Sequence, residues 1–362
     1  MRLVVVGNPE NRRVRLFQQA LAAFGLPPAV EIAYEDLLVG RANWVLPDAD
    51  WVRIESPGEN AAVQGALIRR GPRTRGCEQE PPPLEHGQQG YGRDLFLGWR
   101  DLLLHLEKAN PNTRWCCPPQ AIVAMFDKHE SHQRLVGAGA PRPTYHGCLS
   151  TPAEVRAVHA NRRFARLFLK PRYGSSAAGI LAYRRRDREE RITTTLEMEG
   201  VGGRLFNNLK PRTYQNPAEI LWLLDQLAPE ELVAEQWVPK AVWQGSAWDL
   251  RVLVIAGRAR HAVVRMSRSP FTNLHLGNRR GELASLRREL GETLWARLEA
   301  SAETAARAFP TCLAVAVDLG LAANHRDVVV FEVNAFGDLL PGIVHEGRDT
   351  YAAQVEALRA RR

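Results

Sequence analysis

The stretch that most restricts the fold lies near the C-terminus, where residues 328–334 read VVVFEVN. Valines and a phenylalanine call for a β-strand in an apolar setting, yet Glu332 and Asn334 sit two residues apart within it. Strand side chains alternate faces. The spacing therefore predicts Val328, Val330, Glu332 and Asn334 on one face, and Val329, Phe331 and Val333 on the other. An ionised carboxylate in such a run is costly to bury without a partner. Glu and Asn both present oxygens, the donor type that suits a hard cation such as Mg2+. Just upstream, LAVAVDLG (313–320) carries Asp318 at the end of another apolar strand. A hairpin of the two strands would bring Asp318 beside Glu332 and Asn334, a plausible oxygen set for Mg2+ with water and phosphate. The plainer alternative is an edge strand with a wet polar face and a strand-end turn acid.

The rest of the chain reads as a large α/β protein. RLVVVG opens as a strand, and the following helical spacing ends near Gly25; ADWVRIESPGENAAVQGALIRRG repeats the strand–turn–helix pattern. This predicts parallel strands at the start. Residues 71–93, rich in Gly, Pro, Gln and charge, read as a mobile loop. APRPTY (140–145) is an extended connector. Two strands are expected around Ala256–Gly257, and one long helix over about 285–308. No apolar run approaches the length of a membrane helix. Five cysteines without a CxxC spacing argue against a zinc site and point to reduced thiols in the cytoplasm.

The formal charge is +8, from 48 basic and 40 acidic residues. The basic residues are spread out, and the densest run, RRRDREERI (184–192), is broken by acids and reads as a solvated face or turn, so nucleic acid is not the expected partner. Only five of the basic residues are lysines: Lys108, Lys128, Lys170, Lys210 and Lys240. Where arginine is the habitual cation, a lysine can mark a position that needs a compact point charge. Lys170 follows an apolar strand and precedes GSSAAG, a loop of small residues whose N–H groups can approach phosphate oxygens. Neither a P-loop nor a GxGxxG fingerprint is present.

The ordered series FDKHESHQRLVGAGAPRPTY, LFLKPRYGSSAAGI, LVAEQWV, WDLRVLVIAGRARHAVVR, TNLHLGN, AVDLG and FEVNAFG resembles the ATP-grasp superfamily over residues 120–345. Its motif order is most similar to the branch of ribosomal-protein and peptide glutamate ligases. The resemblance implies an α/β (α+β grasp) fold: a Rossmann-like pre-ATP-grasp domain over 1–118, a central subdomain over 119–240 and a C-terminal subdomain over 241–362. It also implies roles for residues. Lys128 and Lys170 would hold the nucleotide phosphates. Gly174, Ser175, Ser176 and Gly179 would form the loop that closes over the triphosphate. Glu235, Gln236, Trp237 and Val238 would be the hinge strand at adenine and ribose. Arg265 would stabilise charge on the transferring phosphoryl group, with Lys170 beside it. Asn273 and His275 would face nucleotide and substrate. Asp318, Glu332 and Asn334 would bind Mg2+ or Mn2+.

The implied activity is an ATP- and magnesium-dependent carboxylate–amine ligase acting through an acyl phosphate. Its substrates would be a small-molecule or peptide carboxylate and an amine, with no membrane partner; a homodimer is compatible with the reading. A kinase on the same fold and a non-catalytic nucleotide-binding scaffold are the alternatives. Two departures stand out: AEQW replaces the more usual Gln-Glu-aromatic hinge, and NAFGDLLPG replaces Asn-Ser-x-Pro-Gly after the last metal ligand. Arg53 and Glu55 are the expected acceptor contacts, with ordinary strand-end charges as the plainer alternative. His129 and His132 are expected on a helix surface.

Overall fold

The computed structural model describes the chain except residues 78, 80, 83, 86, 159, 161–163, 175, 176, 188 and 362. The first elements are β1 (Leu3–Gly7), α1 (Arg12–Ala23), β2 (Val30–Ala33), α2 (Tyr34–Leu38), β3 (Trp51–Ile54), α3 (Ala61–Arg73), α4 (Gly92–Ala109), α5 (Pro119–Phe126) and α6 (Lys128–Gly137). They build a small parallel sheet in the order β2-β1-β3. Asn11 and Asn60 accept N–H bonds at the starts of α1 and α3, which is why each helix begins where its strand–turn unit ends.

The second group comprises β4 (Tyr145–Leu149), α7 (Pro152–Ala157), β5 (Phe164–Pro171), β6 (Leu181–Arg186), β7 (Glu189–Met198), β8 (Leu205–Tyr214), α8 (Pro217–Leu227) and β9 (Leu232–Gln236). It forms an antiparallel sheet in the order β4-β9-β5-β6-β7-β8. One face buries Leu167, Leu169, Tyr183 and Ile192 against α8; the other is left for the cleft. The expected solvated run at 184–192 thus supplies the facing ends of β6 and β7.

The third group is β10 (Val242–Trp243), β11 (Ser246–Ile255), β12 (Arg258–Ser267), β13 (Arg279–Gly281), α9 (Leu283–Leu290), α10 (Glu292–Ala306), β14 (Ala314–Leu321), β15 (Val328–Asn334) and α11 (Thr350–Ala360). Its sheet runs β13-β12-β11-β14-β15, with β10 paired to β11. The turn between β11 and β12 places Ala256 and Gly257 at φ 50° and 80°, the left-handed pair that a two-residue hairpin requires. The helix expected over 285–308 is instead two, because Gly291 at φ 76° ends α9 and starts α10.

The hydrophobic cores cross the sequence segments. Ala121, Ala124, Met125 and Leu135 of α5 and α6 pack into the third sheet with Trp248, Val317 and Val330. Tyr351, Val355 and Leu358 of α11 return to the first, packing with Leu3, Phe17 and Leu21. Nor is the 71–93 stretch a free loop where it is described. Helix α3 runs to Arg73. The Gln89 N–H donates to Leu205 O at 2.8 Å, the Asn207 N–H to Gly87 O at 2.8 Å, and the Gly92 and Arg93 N–H groups to Glu230. These bonds fasten the start of α4 to the second sheet.

Candidate active site

A cleft of about 610 Å³ opens between the second and third sheets, and the N-terminal region closes one end. Strand β15 shows how the sequence turns polar groups into it. Asp318 pairs with Glu332, but Leu319 pairs with Val330, so Phe331 is an extra residue in the ladder. A bulge reverses the alternation beyond it. Val328 and Val330 therefore share the buried core with Val333, whereas Phe331, Glu332 and Asn334 line the cleft. The simple alternation expected from sequence is corrected here: the two valines do not share a face with Glu332 and Asn334. An apolar strand carries two polar cleft residues without burying either in its core.

Two lysines converge on this strand. Lys128 starts α6, whose N-terminus is capped by Asp127, itself gripped by Arg172 through bonds of 2.8 and 2.7 Å. The Lys128 ammonium donates to the Gly174 carbonyl and lies 3.6 Å from Glu332. Burial pulls its pKa down, against the opposing pull of Glu332. Lys170, at the end of β5, donates to Glu235 at 2.8 Å and to the Phe331 carbonyl at 3.2 Å. Arg142 donates to the other Glu235 oxygen at 2.7 Å. Burial alone would raise the Glu235 pKa, but the two cations outweigh it and hold the carboxylate ionised. Glu235 is thus committed to two side-chain cations, and does not stand open toward a ribose as the resemblance implied.

A chain of alternating charges crosses the floor. Lys240 donates to Asp249 at 2.6 Å and to Thr272 at 2.8 Å. Arg265 donates to Asp249 at 2.7 Å and to Asp318 at 3.0 Å. Arg251 clamps both Asp318 oxygens at 2.8 Å each. Burial would raise the Asp318 pKa, but Arg251 and Arg265 outweigh it and hold it far below the usual carboxylate range. So Asp318 does stand opposite Glu332, yet both its oxygens already accept from arginines. Of the three expected ligands, those not committed to an arginine are Glu332, one-third exposed, and Asn334, whose buried amide nitrogen has no hydrogen-bond partner among the described residues. Among the described residues no group of three or more His, Cys, Asp and Glu is arranged around a metal position.

The hinge residues Gln236, Trp237 and Val238 line the far wall, as do Asn273 and His275. There Phe168, Ile180, Phe271 and Trp237 form an apolar wedge between the sheets. Gly174 lines the cleft. Gly179 is not among the lining residues; it packs against Pro171 at φ 69°. Ser175 and Ser176 lie outside the described residues. Arg53 and Glu55 are corrected outright. They are 6% and 0% exposed, bonded to each other at 2.5 Å, and Arg53 also reaches Gln354 and Asp338 at 2.7 and 2.6 Å. They anchor β3 to the GDLLPG tail and do not line the cleft. His132 is also buried, not on the surface: it stacks on Tyr145 with centroids 4.1 Å apart.

Lys240, Asp249, Arg251 and Thr272 escaped the reading of the sequence. The lysine scarcity could have found the first, since Lys128, Lys170 and Lys240 all line the cleft. Arg13 was missed as well; it reaches the N-terminal end of the cleft and donates to the Phe336 carbonyl at 3.1 Å.

No protein-family profile matches the chain, and no curated protein matches it in sequence. Solved structures do. Over 99% of both chains it superposes on D-cycloserine synthetase DcsG with TM-score 0.58 and 14% identity. It superposes on the ATP-grasp ligase PsnB complexed with a minimal precursor with TM-score 0.55 and 17% identity, over 99% of both chains. The D-alanine–D-alanine ligase of Bacillus anthracis complexed with ATP gives TM-score 0.51 and 13% identity, over 99% of this chain and 96% of that one.

Proposed function

We propose that this chain, which has the ATP-grasp fold, is an ATP- and Mg2+-dependent ligase that joins a carboxylate to an amine. The carrying observation is the convergence of Lys128, Lys170, Glu332 and Asn334 in one cleft, with two oriented arginines on its floor. The ligases and the synthetase that share the fold support the same reaction class.

In this reading the apolar wedge around Phe168 and Trp237 takes the base, and the two lysines hold the phosphates. Glu332 and Asn334 would hold the metal: both offer oxygen, and the orphaned Asn334 nitrogen leaves that side chain without a competing bond. When bound, Mg2+ would neutralise charge on phosphate oxygens. Arg265 and Arg251 are held by Asp249 and Asp318 at fixed orientation, so they need little reorganisation to stabilise negative oxygens in the cleft. A substrate carboxylate oxygen attacks the γ-phosphorus and ADP leaves, giving an acyl phosphate. The amine then attacks the acyl carbon, the C–N bond forms, and phosphate departs with the proton passing to solvent. Exclusion of water by the closed cleft protects the intermediate. No side chain serves as a covalent nucleophile. Substrates of this class are small molecules or peptides, encountered in the cytoplasm.

The test is ADP and phosphate release across pairs of carboxylates and amines. A ligase releases free phosphate only when an amine is present with its carboxylate. Phosphate retained on the product would make the protein a kinase, and no ADP with any pair would leave it a nucleotide-binding scaffold.

A further inference from the structure

The cleft-facing side of the second sheet carries a row of like charges that the nucleotide reading does not use. In the β5–β6–β7 ladder, Arg166 pairs with Arg184 and Arg184 with Arg191. Cross-strand partners share a face, so three guanidinium groups stand side by side across about 10 Å, the width of three strands. The face is the cleft side, because the alternate residues Leu167, Tyr183 and Ile192 are the ones buried against α8. The next rung inward, Phe168, Ala182, Thr193 and Thr213, carries no cation, and its β9 member, Glu235, is already held by Lys170 and Arg142. The next rung outward sets Arg186 opposite Glu189. Only the middle rung is purely cationic.

Directly opposed like charges destabilise a sheet, and at Arg184 and Arg191 no acid among the described residues offsets them. Arg191 donates to the neutral Gln215 at 2.9 Å, and Arg166 lies 5.9 Å from the Trp237 ring centroid. Among the described residues, Arg184 forms no ion pair or side-chain hydrogen bond. Arg268, at the end of β12 on the opposite sheet, also lines the cleft and likewise lacks such a partner among the described residues. Arg166 precedes Lys170 by four residues on one strand, or about 13 Å. The rung is therefore displaced along the strand from the Lys170 ammonium.

We propose that Arg166, Arg184, Arg191 and Arg268 form a second anion site at the cleft mouth, which takes a carboxylate-rich peptide segment. Guanidinium forks match carboxylates bidentately, and a rung about 10 Å wide spans roughly three residues of extended peptide. A nucleic acid suits it less, because useful affinity there comes from many phosphate contacts along a long basic path. An acid also flanks this rung: Glu189 stands one rung outward on the same face. The site does not depend on the ligase reading, since its occupancy is measured without nucleotide.

The experiment titrates a labelled hexaglutamate peptide into the full chain and follows anisotropy at about 50 and 200 mM salt. Binding should weaken as salt rises, and should fall roughly tenfold in a double variant, Arg184→Gln with Arg191→Gln. Arg260→Gln, at an exposed pair with Glu346, should leave it unchanged. A non-hydrolysable ATP analogue should bind wild type and double variant alike, which reports folding and the nucleotide site separately. Peptide affinity unchanged in the double variant, absence of peptide binding at the lower salt, or tighter binding of a six-phosphate oligonucleotide would each overturn the proposal.

Discussion

Two buried charge networks in this protein look alike on paper and differ in what they leave over. Arg53, Glu55, Asp338 and Gln354 lie between β3, the tail after β15, and α11, all less than 7% exposed. With Arg13 near Asp338 at 3.6 Å, two cations face two carboxylates. This set is sealed and balanced. The cleft set is neither: apart from Arg13, eight Lys and Arg against four Asp and Glu line it among the described residues, and Glu332 remains one-third exposed. A balanced set locks architecture, whereas a positive surplus around open oxygens suits a charged ligand and its metal. Burial of charge alone does not mark a site; the residual charge does.

The largest contrast should come from one carboxylate in each network. Glu332→Ala should lower Mg2+-dependent ADP formation by about a hundredfold or more and leave the melting temperature close to wild type. Near-normal turnover in that variant would remove Glu332 from the metal-binding role. Arg53→Leu should do the reverse. It leaves Glu55 and Asp338 buried with one cation fewer, and urea unfolding should register a loss of about 3–5 kcal/mol. Binding of an ATP analogue to the folded fraction should stay near wild type. If Arg53→Leu abolished nucleotide binding while stability held, the sealed network would belong to the site after all.

A smaller effect concerns His132, which sharpens the boundary between the two kinds of network. Burial, with Arg142, His129 and Lys170 nearby, lowers its pKa to about 4, and Glu235 opposes that shift. The unfolded chain therefore takes up the proton first as pH falls from about 6.5 toward 4. The stability contributed by the neutral ring is complete above that window and is lost through it. His132→Phe keeps a ring against Tyr145 and cannot titrate. Urea midpoints of the two proteins should diverge as pH drops below about 6.5, wild type falling faster. Parallel curves would mean that His132 is protonated without cost in the fold.

Much of this was legible in the sequence, and the failures have physical reasons. The order of strands and motifs, the opposition of Asp318 and Glu332, and the scarce lysines all pointed at the cleft. Periodicity could not reveal the bulge at Phe331, because one extra residue changes which side chains face the ligand without changing the apolar pattern. Arg53 and Glu55 look like strand-end charges; only the return of the C-terminal tail and α11, some 300 residues later, supplies their partners. The Arg166–Arg184–Arg191 rung is likewise a product of register, invisible to linear spacing.

The central claim is that the cleft binds a magnesium nucleotide through Lys128, Lys170, Glu332 and Asn334. Its most direct test is calorimetric titration of wild type and Lys170→Met with a non-hydrolysable ATP analogue and Mg2+. Losing a charge-assisted phosphate contact of about 1.5–3 kcal/mol should weaken binding roughly tenfold to 150-fold. An equal dissociation constant for the two proteins, each verified as folded, would contradict the account.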